Sequence, residues 1–108
     1  MSNQQPTISE AFLTFQKEAP QHTKVWAEMI FGMADASALD DKTKALAYLA
    51  VLAVLRLEGG VPSHVQVAKK FGASRDEVIS AILIGLPAAG HQVTQVLPTV
   101  VKSYDESE

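Results

Sequence analysis

The sequence predicts an all-α protein, a bundle of five to six helices that associates with copies of itself, and three observations carry that expectation. Ala45 to Leu55 is an unbroken run of eleven apolar residues, too short for a bilayer, which needs roughly twenty, and too long and Ala/Leu-rich for an ordinary strand. Hydrophobic residues make up 47% of the 108-residue chain but aromatics only 6%, which suits the small aliphatic contacts of packed helices. No stretch alternates apolar and polar residues as a half-buried strand does. The Ala45 to Leu55 run therefore reads as a helix with no solvated face. Such a helix must be covered on every side, more than five or six short helices of one domain supply, so a homo-oligomer built on apolar helix faces is expected. The alternative is that Ala45, Ala47, Ala50 and Ala53 form a tolerant, partly exposed stripe.

Thr7 to Ala19 reads as the first helix, because Thr7 with Glu10 makes a capping-box pattern and Ala11, Phe12 and Phe15 fall at helical spacing. Pro20 interrupts it and suits the first turn of a second, in which His22, Val25, Trp26, Met29, Ile30 and Met33 form one stripe. Asp40 or Asp41 caps the apolar helix, which runs to about Leu57 and is stopped by Gly59 and Gly60. Pro62 starts the next, ending at Gly72, with Val65, Val67, Ala68 and Phe71 on its buried face and His64 mid-way across it. Ser74-Arg75-Asp76-Glu77 is a capping box for a helix through Val78, Ile79, Ile82, Leu83 and Leu86, punctuated by Gly85, Pro87 and Gly90. A last helix carries Val93, Val96, Leu97, Val100 and Val101, bent at Pro98.

One domain over residues 1–108 is expected, with 1–6 and 104–108 as flexible ends and the acidic Asp105 to Glu108 as a solvated tail. A net charge of -3 with scattered Lys and Arg argues against nucleic acid. Met1 to Pro6 lacks the positive charge and apolar run of a signal peptide, so a cytoplasmic location is expected, without membrane association. Cysteine is absent, which removes disulfides, thiolate metal sites and thiolate nucleophiles from this chain.

His64 is the side chain best placed for chemistry. Beside that reading stands a core histidine whose nitrogens are satisfied by backbone carbonyls, since a mid-face imidazole carries a polar burial cost. Its place in the first turn of a helix opposes protonation. Tyr48 reads as a core or interface aromatic whose hydroxyl reaches a partner, and gains functional interest if it faces His64. His22 and His91 lack the paired spacing of a metal site, so neither metal nor cofactor is expected. Arg56 and Glu58 read as a solvated pair, or Arg56 as a group meeting a carboxylate. Met29, Met33 and Trp26 read as core packing.

The segment from Leu39 to Ala47, the apolar helix, His64-Val65, and Gly72-Ala73-Ser74-Arg75-Asp76-Glu77-Val78 resemble the carboxymuconolactone decarboxylase family, which includes the alkylhydroperoxidase D (AhpD)-like proteins. The resemblance covers roughly Phe12 to Leu86 and implies an all-helical AhpD-like fold, usually a trimer or hexamer. In the AhpD-like branch it implies a thiol peroxidase relay of a glutamate, two cysteines and a histidine. The histidine position falls on His64, the cysteine positions on Leu57 and Gly60, and the glutamate position on Ala45. Neither Leu nor Gly supplies the obligatory thiolate, so this chain cannot run that relay. Decarboxylation of an unsaturated lactone acid needs no cysteine. It needs a proton donor and stabilisation of charge spreading into the lactone, and His64 could be either.

Two functions are therefore expected in competition. One is a binder or non-catalytic oligomeric member, with Tyr48, Leu57 and Gly60 beside His64 at a subunit contact and a small carboxylate or lactone as ligand. The other is a cysteine-independent lactone decarboxylase using His64 as proton donor or acceptor.

Overall fold

The computed structural model describes residues 9–107, and they are all-α. In order they form α1 (Glu10–Glu18), α2 (Pro20–Ala36), α3 (Asp41–Leu55), a 3-10 turn (Glu58–Gly60), α4 (Val61–Lys70), α5 (Arg75–Leu83), the short α6 (Leu86–Ala89), a 3-10 segment (Gly90–Val96) and α7 (Leu97–Glu106). Among the described residues no helix is long and apolar enough to cross a membrane.

The body of the molecule is α3 to α7. Leu49, Val61, Val65, Val78, Ile82, Val93, Val96 and Val100 are fully buried there, with Ala53 and Ala68 where backbones approach. No aromatic ring and no polar residue joins that core among the described residues, as the low aromatic content implied. Each such Val, Leu or Ile side chain contributes about 1.5–3 kcal/mol on leaving water. Helix α3 runs through the centre, against α4 on one side and α5 on another, while α7 closes over α4 and α5.

Local chemistry sets the boundaries. The Asp40 carboxylate accepts from the Thr43 amide at 2.7 Å and starts α3. Ser74 and Glu77 make the expected reciprocal capping box at the start of α5. Helix α3 stops at Leu55, two residues before the expected end, and the glycines do not stop it. Arg56 does, in the left-handed region at φ 56°, with the Leu57 amide donating to Leu52 O and the Arg56 amide to Ala53 O. This is a Schellman ending with arginine where glycine is usual. Gly59 and Gly60 instead form the 3-10 turn. Gly85 is required by proximity, because a β-carbon there would stand 2.9 Å from Val54 Cγ2.

Pro98 does not bend a helix. It sits in the first turn of α7, where its missing amide hydrogen costs nothing, after a 3-10 segment that absorbs the change of direction. Nor are Tyr104 to Ser107 a solvated tail. The Tyr104 hydroxyl donates to Ala73 O at 2.8 Å, Lys69 Nζ donates to Tyr104 O and Ser107 O, and Arg75 grips both Asp105 carboxylate oxygens. The expected flexible end at 1–6 and the Thr7 cap lie outside the described residues. Ser9 caps α1, its hydroxyl accepting from the Phe12 amide.

Helices α1 and α2 form an arm of a different character, in which no residue is buried. Trp26 packs on Phe12 and Phe15, with ring centroids 5.2 and 6.2 Å away, and Thr23 Oγ1 donates to Phe15 O and Ala19 O. The stripe expected to be core is open in the single chain: Met29 and Met33 expose 54% and 68% of their surface. Hydrophobic patterning shows which face of a helix seeks cover, and here the body of the same chain does not provide it. The same is true of α3, which within the single chain is left open along Ala47, Tyr48, Val51 and Leu55.

Candidate functional site

Pro62 at the second position of α4 allows that helix to start directly from the 3-10 turn, which places His64 at the fourth helical residue, one turn in. The buried face of α4 is Val61, Val65 and Ala68. His64, Val67 and Phe71 lie at its edge, with Val67 and Phe71 exposed rather than buried as expected. The spacing of these three (i, i+3, i+7) defines a second apolar stripe, and reading one broad face instead of two stripes is what misplaced Val67 and Phe71.

His64 is half-buried against Tyr48 of α3. The ring centroids are 4.5 Å apart and the planes inclined by 47°, a tilted contact between an aromatic and an imidazole. On the other side a β-carbon at Gly60 would stand 3.8 Å from His64 Cδ2 and 3.9 Å from Leu52 Cδ1, so Gly60 leaves little more than van der Waals room beside the ring. Leu57 is half-exposed in the connection after α3. No protein group among the described residues hydrogen-bonds the imidazole, and no side-chain nitrogen or oxygen there is buried without a partner. The core-histidine alternative requires a backbone carbonyl to anchor the ring, and among the described residues none does.

Burial pushes the His64 pKa below its ordinary 6.5, because desolvation disfavours the imidazolium. The shift favours the neutral ring, in which one nitrogen can donate and the other accept. The direction expected from its place in the first turn of the helix is the one that burial gives. Ala45 stands 8% exposed in the core and offers only a methyl group. Arg56 pairs with Glu58 at 3.1 Å on the surface, and among the described residues no three His, Asp or Glu side chains are grouped to hold a metal.

A second feature escaped the sequence reading. Ala50, Val51, Val54, Leu55, Ile84 and Gly85 line an open, apolar hollow of about 340 Å3, formed because Gly85 lets the end of α5 lie directly on Val54. It does not include His64. Between hollow and imidazole runs the exposed face of α3, so that Ile84, Leu55, Val51, Tyr48, His64 and Val67 make one apolar surface across three elements.

A cysteine-free helical domain with one half-buried histidine on an apolar face is thus defined. Its residues 20–99 match the profile of the carboxymuconolactone decarboxylase (CMD) family, and the chain belongs to that family. Comparison with curated proteins and with solved structures found no match.

Proposed function

We propose that this protein binds a small unsaturated carboxylate or lactone at His64 as a self-associating, non-redox member of the family, a trimer or hexamer rather than a single chain. The observation that carries this is the imidazole itself: half-buried on Tyr48, neutral, and unpaired with any described protein group. A polar ring on an apolar face has a desolvation cost without an internal hydrogen bond to offset it, and a ligand oxygen supplies that bond. The phenol ring beside it offers a flat surface to a planar conjugated ligand. Thiol peroxidase chemistry is outside this reading, because the chain has no cysteine.

The second reading, decarboxylation of a lactone acid with His64 as proton donor or acceptor, is supported by the same neutral imidazole. Against it, among the described residues no carboxylate is hydrogen-bonded to the ring, whose aromatic neighbour is Tyr48, and the hollow does not include His64. Titration calorimetry with a carboxymuconolactone tests both. The expected result is binding by the wild type, at least tenfold weaker binding by His64→Ala, and no release of carbon dioxide. Equal affinity in both proteins overturns the site; carbon dioxide release that depends on His64 favours the decarboxylase.

A further inference from the structure

The described residues expose fifteen large hydrophobic side chains by more than a third, against nine large ones in the buried core. They are not scattered. One group lies on the arm, with Val25, Met29 and Met33 in an i, i+4, i+8 line on α2 at 54–68% exposure. The other is the surface of the body that runs from Ile84 through Val51 to Tyr48 and His64. The first is a projecting ridge without a charge in its line; the second contains the hollow, in an α3 face without a charge from Ala45 to Leu55.

We propose that the two groups are the two halves of one contact: the α2 ridge of one copy lies across the α3 face of a second copy, over the hollow and toward Tyr48 and His64. The contact is ridge on face, not ridge on ridge or face on face. It rests on the self-association in the reading above and not on ligand binding.

Area supports the assignment. The whole chain, residues 1–8 and 108 included, exposes 7392 Å2, whereas a compact chain of its mass exposes about 5,800 Å2. A stable contact covers about 800 Å2 on each partner. The exposed apolar side chains of the described residues fall in two separate groups, and a chain that both gives its ridge and receives one covers both, whereas a self-complementary contact of either group alone leaves the other in water. Shape supports it too, since two projecting ridges leave the hollow empty, and two hollow-bearing faces leave the ridge in water. With the ridge in place the His64 site is bounded by two copies, and the single chain holds only part of it.

Complementation between two variants tests this. Met29→Glu puts a charge on the ridge and Val51→Glu puts one on the face; both positions are more than half exposed in the single chain, and helical circular dichroism verifies that each variant is folded. By light scattering the wild type is expected as an oligomer and each variant alone as a monomer. An equimolar mixture is expected to form a two-chain species, because the intact ridge of the Val51→Glu chain meets the intact face of the Met29→Glu chain. A monomeric wild type at 100 µM or so overturns the proposal. A mixture that stays monomeric overturns it also, since ridge-on-ridge and face-on-face contacts are not restored by mixing. Lactone binding by a monomeric variant with unchanged affinity, alongside successful complementation, leaves the contact standing and removes only its part in the site.

Discussion

The arm and the body are both helical and both rich in apolar residues, yet they are held by different things. In the body every core side chain is met by another from the same chain, and polar staples fix the edges: Ser74 with Glu77, Lys42 with Glu77 at 2.9 Å, Arg75 with Asp105, Tyr104 with Ala73. In the arm a small aromatic cluster joins α1 to α2, and the rest of the apolar surface is open. Apolar content alone therefore does not locate stability. What counts is whether the partner surface is in the same chain, and this separates residues that fold the molecule from residues available to bind.

The largest test of that contrast is a matched pair of truncations. Leu49 is fully buried in α3, and Leu49→Ala is expected to cost about 2–5 kcal/mol, through lost transfer energy and the cavity left behind. Met29→Ala removes a side chain of similar size from the open ridge. In a monomeric background such as Val51→Glu it is expected to change unfolding free energy by no more than about 0.5 kcal/mol. Urea unfolding measures both. Comparable losses would mean that the arm is folded into the body's cooperative unit, and the distinction between the two regions would be lost.

A smaller test concerns how α3 ends beside the site. Arg56 adopts φ 56° without being glycine, a conformation that costs an L-residue about 1–2 kcal/mol, and its exposed ion pair with Glu58 returns little of that. Arg56→Gly is expected to raise stability by about 0.5–1 kcal/mol, read as a higher urea midpoint at unchanged slope. A lower midpoint would show that the arginine side chain holds the turn leading to Gly60 and His64 in place.

Much of this organisation was legible in the sequence, and what was not has a common cause. Helix identity, the Ser74 capping box and the buried pattern of α5 follow from local spacing, and local spacing is what a sequence displays. The failures occur where an outcome depends on a distant contact. The end of α7 looked like an acidic tail because nothing near Asp105 shows that Arg75, thirty residues earlier, grips it. Pro98 looked like a kink because the 3-10 segment before it has no strong periodic mark. At the site, the sequence singled out His64, Tyr48 and Gly60, which do come together. It could not show that Leu57 points into an exposed connection, or that Gly85 opens a hollow against Val54. Within the single chain the all-apolar helix leaves one face open, and its pattern carried no information about which chain covers that face.

The smallest effect bears on the residue that stands at the border of the two regions. Burial lowers the pKa of His64 in the folded protein below the ordinary 6.5, so between those two values the unfolded chain binds more protons than the folded one. Stability contributed by this difference is present above pH 6.5 and declines as pH falls toward the folded pKa. The carboxylates held low by their partners, Asp40 by the Thr43 amide, Glu77 by the Ser74 amide and Asp105 by Arg75, act in the same direction but from their ordinary 3.8–4.5 downward. The two windows are therefore separable. As pH falls below 6.5 the melting temperature of the wild type is expected to fall more than that of His64→Gln, the two curves running parallel once the pH lies below the folded pKa of His64. If a second copy covers the imidazole, its desolvation deepens on assembly, and the difference between the curves should be larger in the oligomer than in a Val51→Glu background. Equal slopes in the two backgrounds would place His64 outside the contact and make it an edge residue of the body alone.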